Sequence, residues 1–91
     1  MAKLIYTESY IKIAKKFAKR HPYILQQYSK TLKLLELNPF HPSLRLHKLE
    51  GKLSELYSVS INILYRILID FIIDKDKIIL IDIGKHSEAY K

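Results

Sequence analysis

Arg66 stands in the middle of the chain's longest apolar stretch, Ile61–Ile73, which only Asn62, Arg66 and Asp70 interrupt. An arginine there needs a reason. Its planar fork suits a phosphate, and an ion pair with Asp70 or Asp82 would also account for it. His86 follows twenty residues later and His47 nineteen residues before. Histidine exchanges protons near neutral pH, so both are acid/base candidates, with a polar strand-end contact or a turn contact as the plainer roles. Around His47 lie Arg45, Lys48 and Lys52, a basic cluster in a stretch of lost periodicity. The chain has no cysteine, and no carboxylate cluster or His/Asp spacing reads as a metal site, so neither a metal nor a cofactor is expected.

These residues must be positioned by a small set of elements. Lys3–Tyr6 is a short apolar run suited to a first strand. Thr7 is a plausible N-cap, and Tyr10, Ile13, Ala14, Phe17 and Ala18 then recur at helical spacing. The opposite face carries Lys12, Lys15, Lys16, Lys19 and Arg20. His21-Pro22 ends that helix, and Pro22 suits the first turn of the next. Ile24, Tyr28, Thr31, Leu32 and Leu35 form the second buried stripe, which Asn38-Pro39 stops. The pair reads as an antiparallel helical hairpin.

From Phe40 to Leu53 the chain reads as a connection, with His21 and His41 as turn residues beside prolines. The period then changes to two. Tyr57, Val59 and Ile61 alternate with Ser58 and Ser60. After Asn62, a strand places Ile63, Tyr65, Ile67, Ile69, Phe71 and Ile73 on one face and Leu64, Arg66, Leu68, Asp70 and Ile72 on the other. Past the turn at Asp74–Asp76, Ile79, Ile81 and Ile83 continue the apolar face opposite Leu80 and Asp82, and Gly84 closes the strand. The expected fold is α+β, in the order β-α-α-β-β-β. A mainly antiparallel sheet packs its apolar face, Tyr57 and Tyr65 included, on the hairpin, and residues 1–91 form one domain.

Directly opposed residues of an antiparallel pair point to the same side. Matching apolar faces pairs Ile69 with Ile81, Ile67 with Ile83 and Arg66 with Gly84. His86 then lies just past Arg66's partner, and Ser58 or Ser60 lies near Arg66 from the other side. The mixed, wetter sheet face is the candidate site.

The charge distribution points to a partner. The 91 residues carry 16 Lys/Arg against 9 Asp/Glu, a net charge of +7. Residues 1–52 alone hold +8, and residues 53–91 hold −1. One basic half suits a polyanion such as RNA, DNA or an acidic protein, or else a solvated lysine-rich face. The N-terminus lacks the apolar core and cleavage site of a targeting signal, and the longest apolar stretch is too short and polar to span a bilayer. A soluble cytoplasmic protein is the expectation.

Three pieces, His47-Lys48-Leu49-Glu50-Gly51-Lys52, Tyr65-Arg66-Ile67 and Gly84-Lys85-His86 with Tyr90, together with the element order, resemble the RelE/ParE superfamily of toxins from bacterial type II toxin–antitoxin systems. The resemblance spans nearly the whole chain and is strongest to the branch with a histidine near the C-terminus. It implies a ribosome-dependent mRNA endonuclease, neutralised by a cognate antitoxin that wraps it. His47 matches the branch's histidine before a Leu-x-Gly element. Its further histidine in the second strand has no match, because Ser60 stands there.

Metal-free RNA cleavage by 2′-OH attack needs a base, a cation for the phosphorane charge and an acid for the 5′-oxygen. Under the resemblance, Arg66 is the cation, and His86 and His47 share the acid and base roles. Tyr90 stacks on a base or donates a proton, or simply anchors the last turn. Arg45, Lys48 and Lys52 hold RNA phosphates, or line a solvated loop. A DNA gyrase poison of the same fold, without nuclease activity, and an inactive basic binding module are the competing readings.

Overall fold

The computed structural model describes residues 2–50, 56–72 and 76–85. Strand β1 (Lys3–Tyr6) leads into helix α1 (Glu8–Arg20). Thr7 caps that helix, its Oγ1 accepting the Tyr10 N–H at 3.1 Å, and Glu8 in the first turn and Lys19 and Arg20 in the last complement the helix dipole. The backbone N–H of His21 closes α1 on the Phe17 carbonyl. Pro22 opens a 3₁₀ turn, Pro22–Ile24, which runs directly into α2 (Leu25–Leu37).

The buried stripes of the two helices are those of the periodicity: Tyr10 and Phe17 from α1, Ile24, Thr31 and Leu35 along the second. Thr31 meets its buried hydroxyl's demand locally by donating to the Gln27 carbonyl at 2.8 Å. A 2.6 Å hydrogen bond between the Tyr10 and Tyr28 hydroxyls ties the helices together. Burial, and then this bond to Tyr28, hold the Tyr10 phenol far above its ordinary pKa.

The sheet adds β2 (His47–Lys48), β3 (Tyr57–Ser60), β4 (Tyr65–Ile72) and β5 (Lys77–Lys85) in the spatial order β1-β5-β4-β3-β2. Only β1 runs parallel to its neighbour, pairing Lys3 with Lys77 through Tyr6 with Leu80. The other pairs are antiparallel. Val59, Tyr65, Ile67, Ile69, Ile78, Leu80 and Ile83 join the buried helix residues in one core, with Tyr57 partly buried against it.

Three expectations are corrected. The stretch Phe40–Leu53 is not wholly a connection. It contains a 3₁₀ turn, Pro42–Leu44, and the two-residue strand β2, too short to show any period. Next, β4 begins at Tyr65 and not at Ile63. The Asn62 carboxamide oxygen accepts the backbone N–H groups of Leu64 and Tyr65, both at 2.9 Å, which spends 61–64 on a turn and leaves Ile63 82% exposed.

The third correction concerns register. Arg66 pairs with Gly84 and Ile67 with Ile83 as expected, but a β-bulge shifts the register between Leu68 and Ile69. Ile69 therefore pairs with Leu80, not Ile81. One extra residue in β5 reverses its alternation, so Ile78 and Leu80 enter the core in place of Ile79 and Ile81. Ile81 instead joins Leu49, Leu56 and Leu68 in a second, smaller apolar cluster.

Candidate active site

Adjacent strands carry the candidate residues to the sheet face turned away from the helices. In β4, Ile67 and Ile69 point into the helix-packed core, so Arg66, Leu68 and Asp70 take the opposite face. Pairing extends that face sideways. Ser60 lies opposite Arg66, Ser58 opposite Leu68, and His47 opposite Ser58. Arg66 Nη1 donates to Ser58 Oγ at 3.4 Å, and Ser58 is 1% exposed. On the other flank Arg66 faces Gly84, which has no side chain to crowd the guanidinium.

His47 occupies the edge strand and is exposed. Its Nδ1 lies 3.1 Å from the Arg45 carbonyl oxygen. A carbonyl can only accept, so this contact places the proton of the neutral ring on Nδ1 and the lone pair on Nε2. Arg45 can offer its carbonyl because it ends the Pro42–Leu44 turn in a left-handed conformation, φ 49° and ψ 45°. Two strand spacings, roughly 10 Å, separate β2 from β4.

The floor between these polar groups is apolar. Leu68 and Leu49 are buried on this side, with Leu56 and Ile81 packed against them. The Leu49 N–H bonds the Leu56 carbonyl at 2.9 Å, which extends the β2–β3 pairing by one step and holds Leu49 down. The surroundings of Arg66 are therefore partly desolvated, where a cation acts more strongly on a phosphate than it does in bulk water.

Not every expected residue converges here. Lys48 pairs with Tyr57, which places it on the alternation opposite to His47. Arg45 is exposed and borders a cavity of about 140 Å³ with Ser43, Ser60 and Asn62, at the edge of the same face. Lys52, His86 and Tyr90 lie outside the described residues. So does the expected proximity of His86 to Arg66, although the Arg66–Gly84 pairing on which that expectation rested is present. His41 is a turn residue as expected, its Nδ1 accepting the Ser43 N–H at 3.1 Å.

Sequence reasoning missed the apolar floor. Leu49 gave no periodic signal, and the Ile81 contribution depends on the bulge. Register places Ser58 or Ser60 near Arg66, and Ser58 proves to be Arg66's hydrogen-bond partner. Among the described residues no three His, Cys, Asp or Glu side chains gather where they could hold a metal ion.

The fold has known counterparts. YafQ from E. coli strain BL21(DE3) superposes with a TM-score of 0.79 at 12% identity, covering 100% of both chains. A metal-bound toxin from Helicobacter pylori matches with a TM-score of 0.76 at 20% identity, over 97% of this chain and 98% of that one. The E. coli DinJ-YafQ toxin–antitoxin complex matches with a TM-score of 0.69 at 18% identity, over 99% and 98%. No protein-family model and no curated protein matches the sequence. The chain thus has the α+β fold of toxin–antitoxin toxins, two helices on a five-stranded, mostly antiparallel sheet.

Proposed function

We propose that this chain is the toxin of a type II toxin–antitoxin module and that it cleaves mRNA in the A site of the ribosome. The observation that carries the reading is the placement of Arg66, Ser58 and His47 on one sheet face, above an apolar floor and away from the helices. The toxin fold supports the biological role, and the solved complex of YafQ with DinJ supports a cognate antitoxin as partner.

In this reading a base takes the 2′-OH proton and the freed oxygen attacks the adjacent phosphorus. Arg66 stabilises the charge that develops on the phosphoryl oxygens. The bond to the 5′-oxygen breaks as an acid delivers a proton to it, leaving a 2′,3′-cyclic phosphate and a 5′-hydroxyl. His47 and His86 divide the acid and base roles, and Tyr90 stacks on a base of the codon. Arg45 and Lys52 hold flanking phosphates, whereas Lys48, on the opposite alternation, takes no part at this face. The chemistry needs neither a metal nor a cofactor.

The test mixes purified protein with translating ribosomes and a defined mRNA in excess chelator. New 5′ ends inside codons support the proposal. Intact mRNA with stalled gyrase–DNA complexes would make the protein a gyrase poison of the same fold, and neither effect would leave a basic binding module.

A further inference from the structure

A second cleft opens on the helix side of the sheet, where the end of α1 meets the ends of β4 and β5. It measures about 370 Å³. Lys16 and Arg20 line it from α1, one helical turn apart. Lys85 lines it from β5, and its pairing with Tyr65 turns both side chains toward the helix. No acidic residue lines the cleft among the described residues. One wall is a cluster of tilted aromatic rings. The His21 ring centroid lies 4.8 Å from those of both Phe17 and Tyr65, and His21 Nδ1 contacts the Tyr23 hydroxyl at 3.1 Å.

Lysines along one helix face are ordinarily a solvated surface. Here a third cation arrives from a different element, and an ordered wall shields one side of the space they share. Like charges brought together around a cavity repel, and a bound anion relieves that repulsion. Three cations are best matched by a dianion, since a carboxylate or a phosphodiester would neutralise only one of them. The volume falls in the range of small-ligand pockets.

We infer that this cleft binds a phosphate monoester, the terminal phosphate of a nucleotide, at a site separate from the Arg66 face. Arg20 supplies a bidentate fork, and Lys16 and Lys85 supply compact charges. The ligand is either a free mononucleotide or the 5′-phosphorylated end of an RNA. The site does not depend on nuclease activity, because binding is read without catalysis.

The experiment is an amide-resolved NMR titration of the intact chain with inorganic phosphate, 5′-AMP, adenosine, and a short oligoribonucleotide with and without a 5′-phosphate. Phosphate and 5′-AMP should shift the amides of His21, Gly84 and Lys85 saturably, and adenosine should not. Arg20→Ala and Lys85→Ala should each weaken 5′-AMP by about ten-fold, the loss of one charge-assisted contact, while the exposed Lys33→Ala on α2 leaves it unchanged. A 5′-phosphorylated oligomer that binds more tightly than both its 5′-hydroxyl form and 5′-AMP identifies an RNA end as the source. Equal binding of that oligomer and 5′-AMP identifies a free nucleotide. The inference is overturned if no saturable shift occurs, if Lys33→Ala weakens binding as much as Lys85→Ala, or if the 5′-hydroxyl oligomer binds as well as the phosphorylated one.

Discussion

Arg66 and Ser58 meet diagonally across the β3–β4 pair, the guanidinium Nη1 donating to the buried serine hydroxyl at 3.4 Å. That distance is at the long end for an N–H···O bond, so the contact steers the guanidinium more than it stabilises the fold. It also joins two of the three strands that carry the proposed site, since Ser58 in turn faces His47.

Replacing Arg66 should separate catalysis from folding. Arg66→Ala is expected to lower the single-turnover rate of ribosomal mRNA cleavage by about 10²–10³. Its stability cost should be no more than about 1–3 kcal/mol, because Tyr65 and Ile67, not Arg66, pack against the helices. Arg66→Lys keeps the charge without the fork and should retain intermediate activity. Cleavage rate, ribosome affinity and thermal unfolding of the three proteins are the measurements. Wild-type cleavage by a folded Arg66→Ala protein would remove Arg66 from the mechanism.

Ser58→Ala should cost no more than about 0.5 kcal/mol, the low end for a hydrogen bond as suits a long contact, and slow cleavage less than Arg66→Ala does. The double variant Ser58→Ala/Arg66→Ala should then be no slower than Arg66→Ala alone, since the serine acts through the arginine. Additive losses in this cycle would give Ser58 a role of its own.

A bell-shaped dependence of cleavage rate on pH is expected where chemistry limits the rate. His47→Gln should remove one limb of the bell. A bell that keeps both limbs in that variant would assign the proton transfer given to His47 to another group.

The second apolar cluster should be energetically real. Leu68→Ala is expected to destabilise the protein by about 2–5 kcal/mol, as for other buried leucines. In a domain of this size that lowers the melting temperature by roughly 10 °C or more. A change within a degree or two would mean that this face is solvated and that Leu49 does not cover it.

The tyrosine pair predicts alkaline sensitivity. Burial first, and then the bond to Tyr28, raise the Tyr10 pKa above 10.0, and burial also raises that of Tyr28. In the unfolded chain both phenols ionise near 10, while the folded protein keeps them protonated. Above about pH 10 the unfolded state therefore binds fewer protons, and stability falls as pH rises. Below that value the pair contributes in full. Denaturant titrations from pH 8 to 11 should show the decline, and Tyr10→Phe should make it shallower. An unchanged slope in that variant would place the alkaline transition elsewhere.

The two helices were legible because their apolar residues repeat at the helical period and their ends carry local signals, Thr7, Pro22 and Asn38, that act over a few residues. Strand β1 was legible as a short apolar run, and β3 and β4 from alternation, though an asparagine side chain moved the start of β4 by two residues. Of the site, the face of Arg66, its neighbour Gly84 and a serine, Ser58 or Ser60, on its other flank followed from register alone. The cleft beside His21 did not, because it is assembled from a helix end and two strand ends far apart in sequence.

Sequence by itself determined the element order, the burial stripes of the helices, the basic N-terminal half and the strand face that carries Arg66. All of these depend on spacing within one element or on composition. Tertiary structure alone decided the bulge that turned Leu80 inward and Ile81 outward, the pairing of two-residue β2 that brings His47 beside Ser58, and the packing of Leu49 under Leu68. The reason is physical. A bulge leaves the apolar composition of a strand unchanged while reversing its faces, and a two-residue strand has no period of its own. Each is settled only by the neighbour it pairs with.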